Sequence, residues 1–292
     1  MITKQEQPMK RLEGKTLIMT GGGGSIGSAA ALRCAQEGAN LVLTDIREDE
    51  LNRAADAAGE AGADVLALVS DSRNEDACAE LAAKTVEKFG RIDMVWANAG
   101  EVWVKEALEQ DKAFWTDCLE LELTGQWLPI RAALPTMIEQ QSGSVLVSSS
   151  MTANVGIKHI AAYSAAKGAL QALMKTLAIE HGRDNIRFNS LAIGSVEGRH
   201  IIASNAMRQG ITYDEAEQLV ELTKVVRDEI FPLGRMGTPE DIAPVVAFFA
   251  SDDSAWVTGT NFYPDGGLTH DGTAGISGLS QQQLAQFAAL LM

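Results

Sequence analysis

The alternation of short apolar runs with helix-length segments constrains the fold of this 292-residue chain more than any other feature. Short apolar runs bounded by turn residues are typical of buried strands. Because each intervening helix crosses over the sheet in a right-handed sense, repeated strand–helix units build a parallel sheet with helices on both faces. The sequence therefore predicts an α/β fold, a Rossmann-type doubly wound parallel sheet, in a single domain over residues 1–292.

The predicted elements follow this alternation along most of the chain. Strands are predicted at residues 15–20, 40–45, 64–69, 92–97, 144–149, 186–192 and 260–263. Helices are predicted at residues 25–38, 48–61, 74–89, 111–140, 161–182 and 239–250. Residues 195–230 depart from the pattern as an insertion with helical stretches, among them Asp214–Arg227.

Composition and charge exclude several classes of function. The formal net charge of −15 leaves no basic excess to neutralise phosphates, which argues against nucleic-acid binding. The first residues lack the apolar core of a secretory signal, and no apolar run reaches the roughly 18 residues of a membrane helix. We therefore expect a cytoplasmic protein that does not bind membranes. Cys34, Cys78 and Cys118 are far apart and favour packing over a redox role, and the histidines lack zinc-like spacing, so no metal is predicted.

A glycine cluster lies between the first strand and the first helix, where Thr20–Gly27 reads TGGGGSIG. Glycines there suit either a plain flexible turn or a turn whose backbone approaches a pyrophosphate at the helix N-terminus. Asp45 ends the second strand about 18 residues further on, where a carboxylate can accept hydrogen bonds from the adenosine ribose. Because this carboxylate repels a 2′-phosphate, we predict NAD in preference to NADP, with the nearby Arg47 as the feature against it.

Several motifs in order resemble those of the classical short-chain dehydrogenase/reductase family over about residues 12–267. They are TGGGGSIG with Ser25 at the family's second glycine, Asp71-Ser72 after the third strand, Asn98-Ala99-Gly100 after the fourth, Ser150 ending the fifth, Tyr163-Ser-Ala-Ala-Lys167 matching YxxxK, and a similar C-terminal stretch at 232–267. The resemblance implies hydride transfer between a nicotinamide cofactor and a secondary alcohol or ketone. A sensor that binds NAD without catalysis, and an epimerase or dehydratase that retains NAD, are the alternatives.

The resemblance also assigns catalytic roles. Tyr163 is the general acid/base, and Lys167, four residues later on the same helix face, lowers its pKa from the ordinary value of about 10. Ser150 stabilises the substrate oxygen. Taken alone, YxxxK equally describes a buried tyrosine and an amphipathic lysine on an ordinary helix.

Two positions depart from the family pattern. Glu122 stands where the family has a catalytic asparagine, and Ile193-Gly194 stands in place of Pro-Gly. Three hypotheses fit Glu122: the backbone alone serves the proton relay, the carboxylate conducts protons or meets the substrate, or catalysis is impaired. The second departure predicts a differently shaped nicotinamide loop.

The resemblance extends to binding residues and to assembly. The cofactor-binding residues implied are Gly21, Gly24, Ser25, Ile26, Gly27, Asp45, Ile46, Asp71, Ser72, Asn98, Ala99, Gly100, Tyr163, Lys167, Val196 and Gly198. The substrate candidates are Ser150, Thr152, His159, Tyr163 and Ser195, with Trp103, Met151, Asn154 and Ile160 nearby. His159 is either a pocket or surface residue or, less in keeping with the family, a catalytic base. Trp256 and the last strand resemble the region through which the family assembles, which implies a homotetramer or homodimer.

Three regions follow from this assignment. The cofactor-binding core covers about residues 12–194. Residues 195–230 form a substrate lid, although their apolar side chains equally suit packing within the insertion. The tail at 268–292 either joins an interface, covers a neighbouring active site or is loose. The apolar side chains of the insertion are Ile201, Ile202, Met207, Ile211, Leu219 and Val220.

Overall fold

A computed structural model of the protein describes residues 10–222, 224, 228 and 230–270. Within them lies a seven-stranded sheet in the order β3-β2-β1-β4-β5-β6-β7, with every neighbouring pair parallel. The strands are β1 (Thr16–Thr20), β2 (Asn40–Asp45), β3 (Val65–Val69), β4 (Met94–Ala97), β5 (Gly143–Ser150), β6 (Ile186–Ile193) and β7 (Asn261–Phe262). The predicted doubly wound α/β fold is confirmed.

Helices cover both faces of this sheet. They are α1 (Ser25–Gln36), α2 (Glu48–Glu60), α3 (Glu75–Phe89), α4 (Lys112–Leu119), α5 (Gly125–Gln140), α6 (Ala161–His181), α7 (Arg199–Gln209), α8 (Tyr213–Leu222) and α9 (Pro239–Ala250). None of the helices in the described ranges is both long and apolar enough for a bilayer crossing.

Two apolar cores lie on opposite faces of the sheet, because successive side chains of a strand point in opposite directions. Leu17 and Met19 of β1 pack with α1, α2 and α9, whereas Ile18 faces the core formed with α3, α5 and α6. All three side chains are almost completely buried. Burial on both faces explains why the strands read as continuous apolar runs.

The long helix predicted at 111–140 is interrupted by a π-helical turn, Glu120–Thr124, which joins α4 to α5. A π turn inserts one extra residue per turn and changes the direction of the side chains around it. Here it carries Glu122 into the interior, where the side chain is completely buried.

The insertion contains two helices within the described residues. The prediction of a helix at Asp214–Arg227 corresponds to α8, which begins one residue earlier and ends at Leu222, while Arg227 itself lies outside the described residues. Helix α7 was not predicted individually, because RHIIASNAMRQ lacks a clear apolar period. The tail prediction for 271–292 also lies outside the described residues.

The sheet order reverses at β1, which pairs with β2 on one side and with β4 on the other. In open α/β sheets the crevice outside the carboxyl ends of the strands at this reversal is where ligands bind. The loops after β1 and β4 therefore position the candidate site.

Candidate active site

A cavity of about 1350 Å³ opens at the carboxyl ends of the strands. It brings together most of the residues that the sequence singled out. The lining includes Gly21, Gly24, Ser25, Ile26, Gly27, Asp45, Ile46, Asp71, Ser72, Asn98, Ala99, Gly100, Trp103, Glu122, Ser150, Met151, Thr152, Ile160, Tyr163, Lys167, Ile193, Gly194 and Ser195.

Four predicted residues lie outside this lining. Val196 is buried and pairs through its backbone with Gly237. Gly198 packs against the Ser25 side chain, since an added Cβ there would lie 2.8 Å from Ser25 Oγ. His159 is exposed, with its Nδ1 3.8 Å from a Glu106 carboxylate oxygen, and Asn154 is exposed as well.

The glycine turn has the shape of an anion cradle. An added Cβ on Gly27 would lie 2.1 Å from Gly21 O, and one on Gly23 would lie 2.8 Å from Leu51 N. Side chains are therefore excluded where the turn folds against α1 and α2. Gly24 caps α1 and offers no side-chain hydrogen bond, so the first N–H groups of the helix are left for an acceptor in the cavity.

Asp45 lies at the end of β2 with its carboxylate almost completely buried. Its Oδ2 accepts a hydrogen bond from Gly23 N (3.2 Å), and its Oδ1 accepts from Arg47 N (3.0 Å) and Nε (3.2 Å). Arg47 also pairs with Glu50 at 2.9 Å, and Glu50 in turn pairs with Arg199 at the start of α7. Arg47, the feature against the NAD prediction, is thus part of a network of two arginines and two carboxylates.

The loops after β3 and β4 complete this half of the cavity. Asp71 forms a two-pronged ion pair with Arg73, which lowers the pKa of the Asp71 carboxyl. The backbone N–H groups of Asn98 and Ala99 donate to Thr20 Oγ1 at 2.9 and 3.0 Å. These bonds tie the loop after β4 to the end of β1, where the glycine turn begins.

The catalytic candidates converge at the other half of the cavity. Ser150 ends β5, and Tyr163 and Lys167 lie one turn apart on α6, with Lys167 Nζ 5.4 Å from the centre of the Tyr163 ring. Lys167 Nζ donates to Ser148 O at 2.8 Å. The Ser150 hydroxyl is close enough to the Tyr163 phenol to lower its pKa through hydrogen bonding.

Glu122 reaches the same lysine from the π turn. Its Oε2 lies 2.8 Å from Lys167 Nζ, and its Oε1 accepts a hydrogen bond from Glu101 N at 2.7 Å. With its amide oriented to satisfy both of its atoms, Gln126 accepts from the same Nζ at 2.8 Å and donates to Ala97 O at 2.9 Å. The Lys167 ammonium is therefore held in a buried site by the oxygens of Ser148 and Gln126 and by an ion pair with Glu122.

The electrostatics of Tyr163 differ from the expectation that Lys167 lowers its pKa. Burial raises the pKa of Tyr163, the Glu122 carboxylate raises it further, and the Ser150 hydrogen bond opposes both. Lys167 forms its ion pair with Glu122 and not with Tyr163. Burial raises the pKa of Glu122, and Lys167 reduces this rise without reversing it. Among the protein's own groups, the net effect on Tyr163 is therefore opposite to the expected one.

Sequence reasoning missed several residues of this site. Gln126, Ser148 and the Glu101 backbone carry no motif, since they act through a buried amide, a carbonyl and an N–H group. Glu50 and Arg199 are 149 residues apart in the chain. One signal was available: a glutamate in an apolar helix, such as Glu122, calls for a cationic partner.

The comparisons with known proteins agree on the family. A family model described as enoyl-(acyl carrier protein) reductase matches residues 22–269. The chain is 35% identical to the oxidoreductase UcpA of Salmonella typhimurium over 265 residues, which cover 89% of this chain and 97% of that protein. A levodione reductase structure matches with a TM-score of 0.82 and 32% identity over 89% of this chain and 100% of its own. The structure of a xylitol dehydrogenase solved with NAD⁺ matches with a TM-score of 0.78 and 28% identity, over 87% of this chain and 98% of its own.

The fold and these matches define a Rossmann-type oxidoreductase. The chain belongs to the classical short-chain dehydrogenase/reductase family, whose members use nicotinamide cofactors, so the resemblance found in the sequence is confirmed.

Proposed function

We propose that the protein is an NAD-dependent oxidoreductase that interconverts a secondary alcohol and a ketone. The observation that carries this proposal is the convergence of Ser150, Tyr163 and Lys167 on the same cavity as the glycine turn and Asp45. A binding protein without catalysis has no use for a hydroxyl donor, a phenol and a buried lysine at one point.

The residues divide the chemistry between them. When bound, the nicotinamide ring supplies or accepts the hydride. The Tyr163 phenol gives a proton to the substrate oxygen in reduction and takes it back in oxidation. The Ser150 hydroxyl donates a hydrogen bond to that oxygen as charge develops on it. Lys167 lies beside Tyr163, with its ammonium hydrogen-bonded to Ser148 O and paired with Glu122.

The arrangement of charges around Asp45 supports NAD. The buried Asp45 carboxylate lines the cavity, where it would accept hydrogen bonds from an adenosine ribose, and Arg47 is paired with both Asp45 and Glu50. A 2′-phosphate would have to displace these carboxylates from the arginine. The NAD⁺ bound in the similar xylitol dehydrogenase agrees with this preference.

Asp45→Asn tests the cofactor preference. We expect the ratio of kcat/KM with NAD to kcat/KM with NADP to fall by roughly 10-fold or more, because a hydrogen bond to a charged group contributes roughly 1.5–3 kcal/mol and the repulsion of the 2′-phosphate is removed. Steady-state kinetics with both cofactors measures it. Asp56→Asn, at an exposed position on α2, is the matched control. An unchanged ratio in Asp45→Asn would refute the role of this carboxylate.

The walls of the cavity support a medium-sized, largely apolar substrate. The part near Tyr163 is lined by uncharged side chains from four regions of the chain: Val102, Trp103, Met151, Ile157, Ile160, Ile193, Ile201 and Met207. Thr152 and Ser195 add hydroxyl groups there. Ile201 and Met207 belong to α7, which supports the lid hypothesis for the insertion.

Exposed apolar residues support assembly into a homotetramer or homodimer. Trp256 is 98% exposed and Ile179 is 85% exposed, and Phe262 lies on the edge strand β7. Burying such side chains between subunits removes apolar surface from water. Analytical ultracentrifugation measures the oligomeric state.

We further propose a cytoplasmic location.

A spectrophotometric screen tests the proposed function. Purified protein is incubated with a panel of secondary alcohols and NAD, and with the matching ketones and reduced NAD, while absorbance at the reduced-nicotinamide band is followed. NADP is run in parallel. Net cofactor turnover supports the proposal. Tight NAD binding without turnover across the panel contradicts it and favours the sensor, whereas product formation without net cofactor change favours the epimerase or dehydratase.

A further inference from the structure

The charge of Lys167 is cancelled inside the protein. Glu122 is completely buried, the Lys167 side chain is 4% exposed, and their charged atoms lie 2.8 Å apart. The pair consists either of an ammonium and a carboxylate or of a neutral amine and a neutral carboxyl group. The pair has a net charge of zero in both arrangements, so its effect on a neighbour is that of a dipole and not of a cation.

Tyr163 is the neighbour that this cancellation affects. Its ring centre is 5.4 Å from Lys167 Nζ. An uncompensated ammonium at this distance, away from water, favours the phenolate strongly. The carboxylate of Glu122 instead disfavours the phenolate.

The other groups around Tyr163 do not restore a positive charge. Cys118 of α4 is a buried thiol whose pKa is raised to about 12, so it is uncharged at neutral pH. Ser150 contributes a neutral hydroxyl, and Glu101 adds a further carboxylate on the far side of Glu122. The described groups that face Tyr163 and Glu122 from the neighbouring elements thus sum to neutral or negative.

We propose that Glu122 acts as a positioning residue: by pairing with Lys167 it cancels the lysine charge beside Tyr163, so that Tyr163 keeps its proton to a higher pH than it would beside an unpaired lysine. The inference rests on the proposed function. In reduction, hydride from the reduced nicotinamide forms the new C–H bond at the carbonyl carbon. The electron pair of the C=O bond moves to oxygen, which takes the phenolic proton of Tyr163. The reverse reaction needs the phenolate, which Glu122 disfavours.

The first test observes Tyr163 directly and needs neither substrate nor cofactor. The chain has three tyrosines, Tyr163, Tyr213 and Tyr263, so protein labelled with ¹³C at tyrosine Cζ gives three signals. The signal that is missing in Tyr163→Phe is that of Tyr163. In Glu122→Gln, which keeps the side-chain shape, we expect Tyr163 to ionise at a pH lower by roughly 1–3 units than in the unchanged protein. An unchanged or higher titration pH overturns the proposal.

A double variant separates charge from shape. In Glu122→Gln combined with Lys167→Met, the pair is again neutral, so Tyr163 should titrate as in the unchanged protein. If the double variant titrates as low as Glu122→Gln alone, the effect comes from altered packing and the proposal is wrong. Circular dichroism verifies that each variant is folded before its titration is interpreted.

The pH dependence of oxidation gives the second readout. With a substrate from the screen, Glu122→Gln should move the pH at which oxidation reaches half of its maximal kcat/KM downward by the same amount as the Tyr163 titration. A pH profile that stays in place while the Tyr163 signal moves would overturn the link between the Tyr163 proton and the rate of oxidation. Absence of any turnover would refute the proposed function, whereas the titration result would still decide the charge cancellation.

Discussion

Replacing Tyr163 with phenylalanine is expected to reduce turnover by roughly 10²–10⁴-fold in both directions, the usual contribution of a general acid/base. In the proposed function this phenol, which lies beside Ser150 and Lys167, exchanges a proton with the substrate oxygen. Phenylalanine keeps the ring and therefore the packing of α6. Cofactor affinity should change little, because the glycine turn and Asp45 lie in the other half of the cavity.

Steady-state kinetics and fluorescence titration with NAD measure the two quantities separately. Tyr263→Phe is the matched control, since it removes a phenol that bonds to Asn154 Oδ1 at 3.3 Å outside the cavity lining. Near-normal turnover in Tyr163→Phe would refute the assigned chemistry. A joint loss of turnover and NAD binding would instead assign Tyr163 a structural role.

The sheet was predictable because its strands are buried on both faces. Leu17, Ile18 and Met19 are all apolar, and the six residues of β2 were predicted with the bounds that the structure shows. Helix α1 was equally clear, since it begins directly after the glycine cluster. The motifs that the sequence places at strand ends meet in one cavity for the same reason: the carboxyl ends of parallel strands lie on one edge of the sheet.

The electrostatics of the site were not predictable from those motifs. The π turn at 120–124 has an ordinary helical sequence. Its position depends on the ion pair between Glu122 and Lys167, which lies on a different helix. The spacing of Tyr163 and Lys167 predicted their proximity, but not that Lys167 forms an ion pair with the Glu122 carboxylate. Likewise, the link from Glu50 to Arg199 joins α2 to α7, and no local pattern reports it.

Replacing Lys167 with methionine is expected to lower the free energy of unfolding by roughly 3–5 kcal/mol near pH 8, because it leaves a buried carboxylate without its cation. Glu122 would retain the hydrogen bond from Glu101 N but lose its only cationic contact in the described part of the chain. Urea denaturation at fixed protein concentration measures the loss. Lys175→Met, at an exposed position of the same helix, should change stability little.

The dependence of this loss on pH identifies Glu122 as its cause. Burial raises the pKa of Glu122 in the folded state, and Lys167 opposes the rise, so removing the lysine raises the pKa further. A carboxyl group with a raised folded pKa contributes stability that is complete below its unfolded pKa of 4.5 and is lost as the pH rises through the folded value. The deficit of Lys167→Met should therefore be small near pH 4.5 and grow toward pH 8. Adding Glu122→Gln should recover much of the stability at pH 8, since no charge then remains to be buried. A deficit that is independent of pH and unaffected by Glu122→Gln would mean that Lys167 stabilises the fold by packing alone.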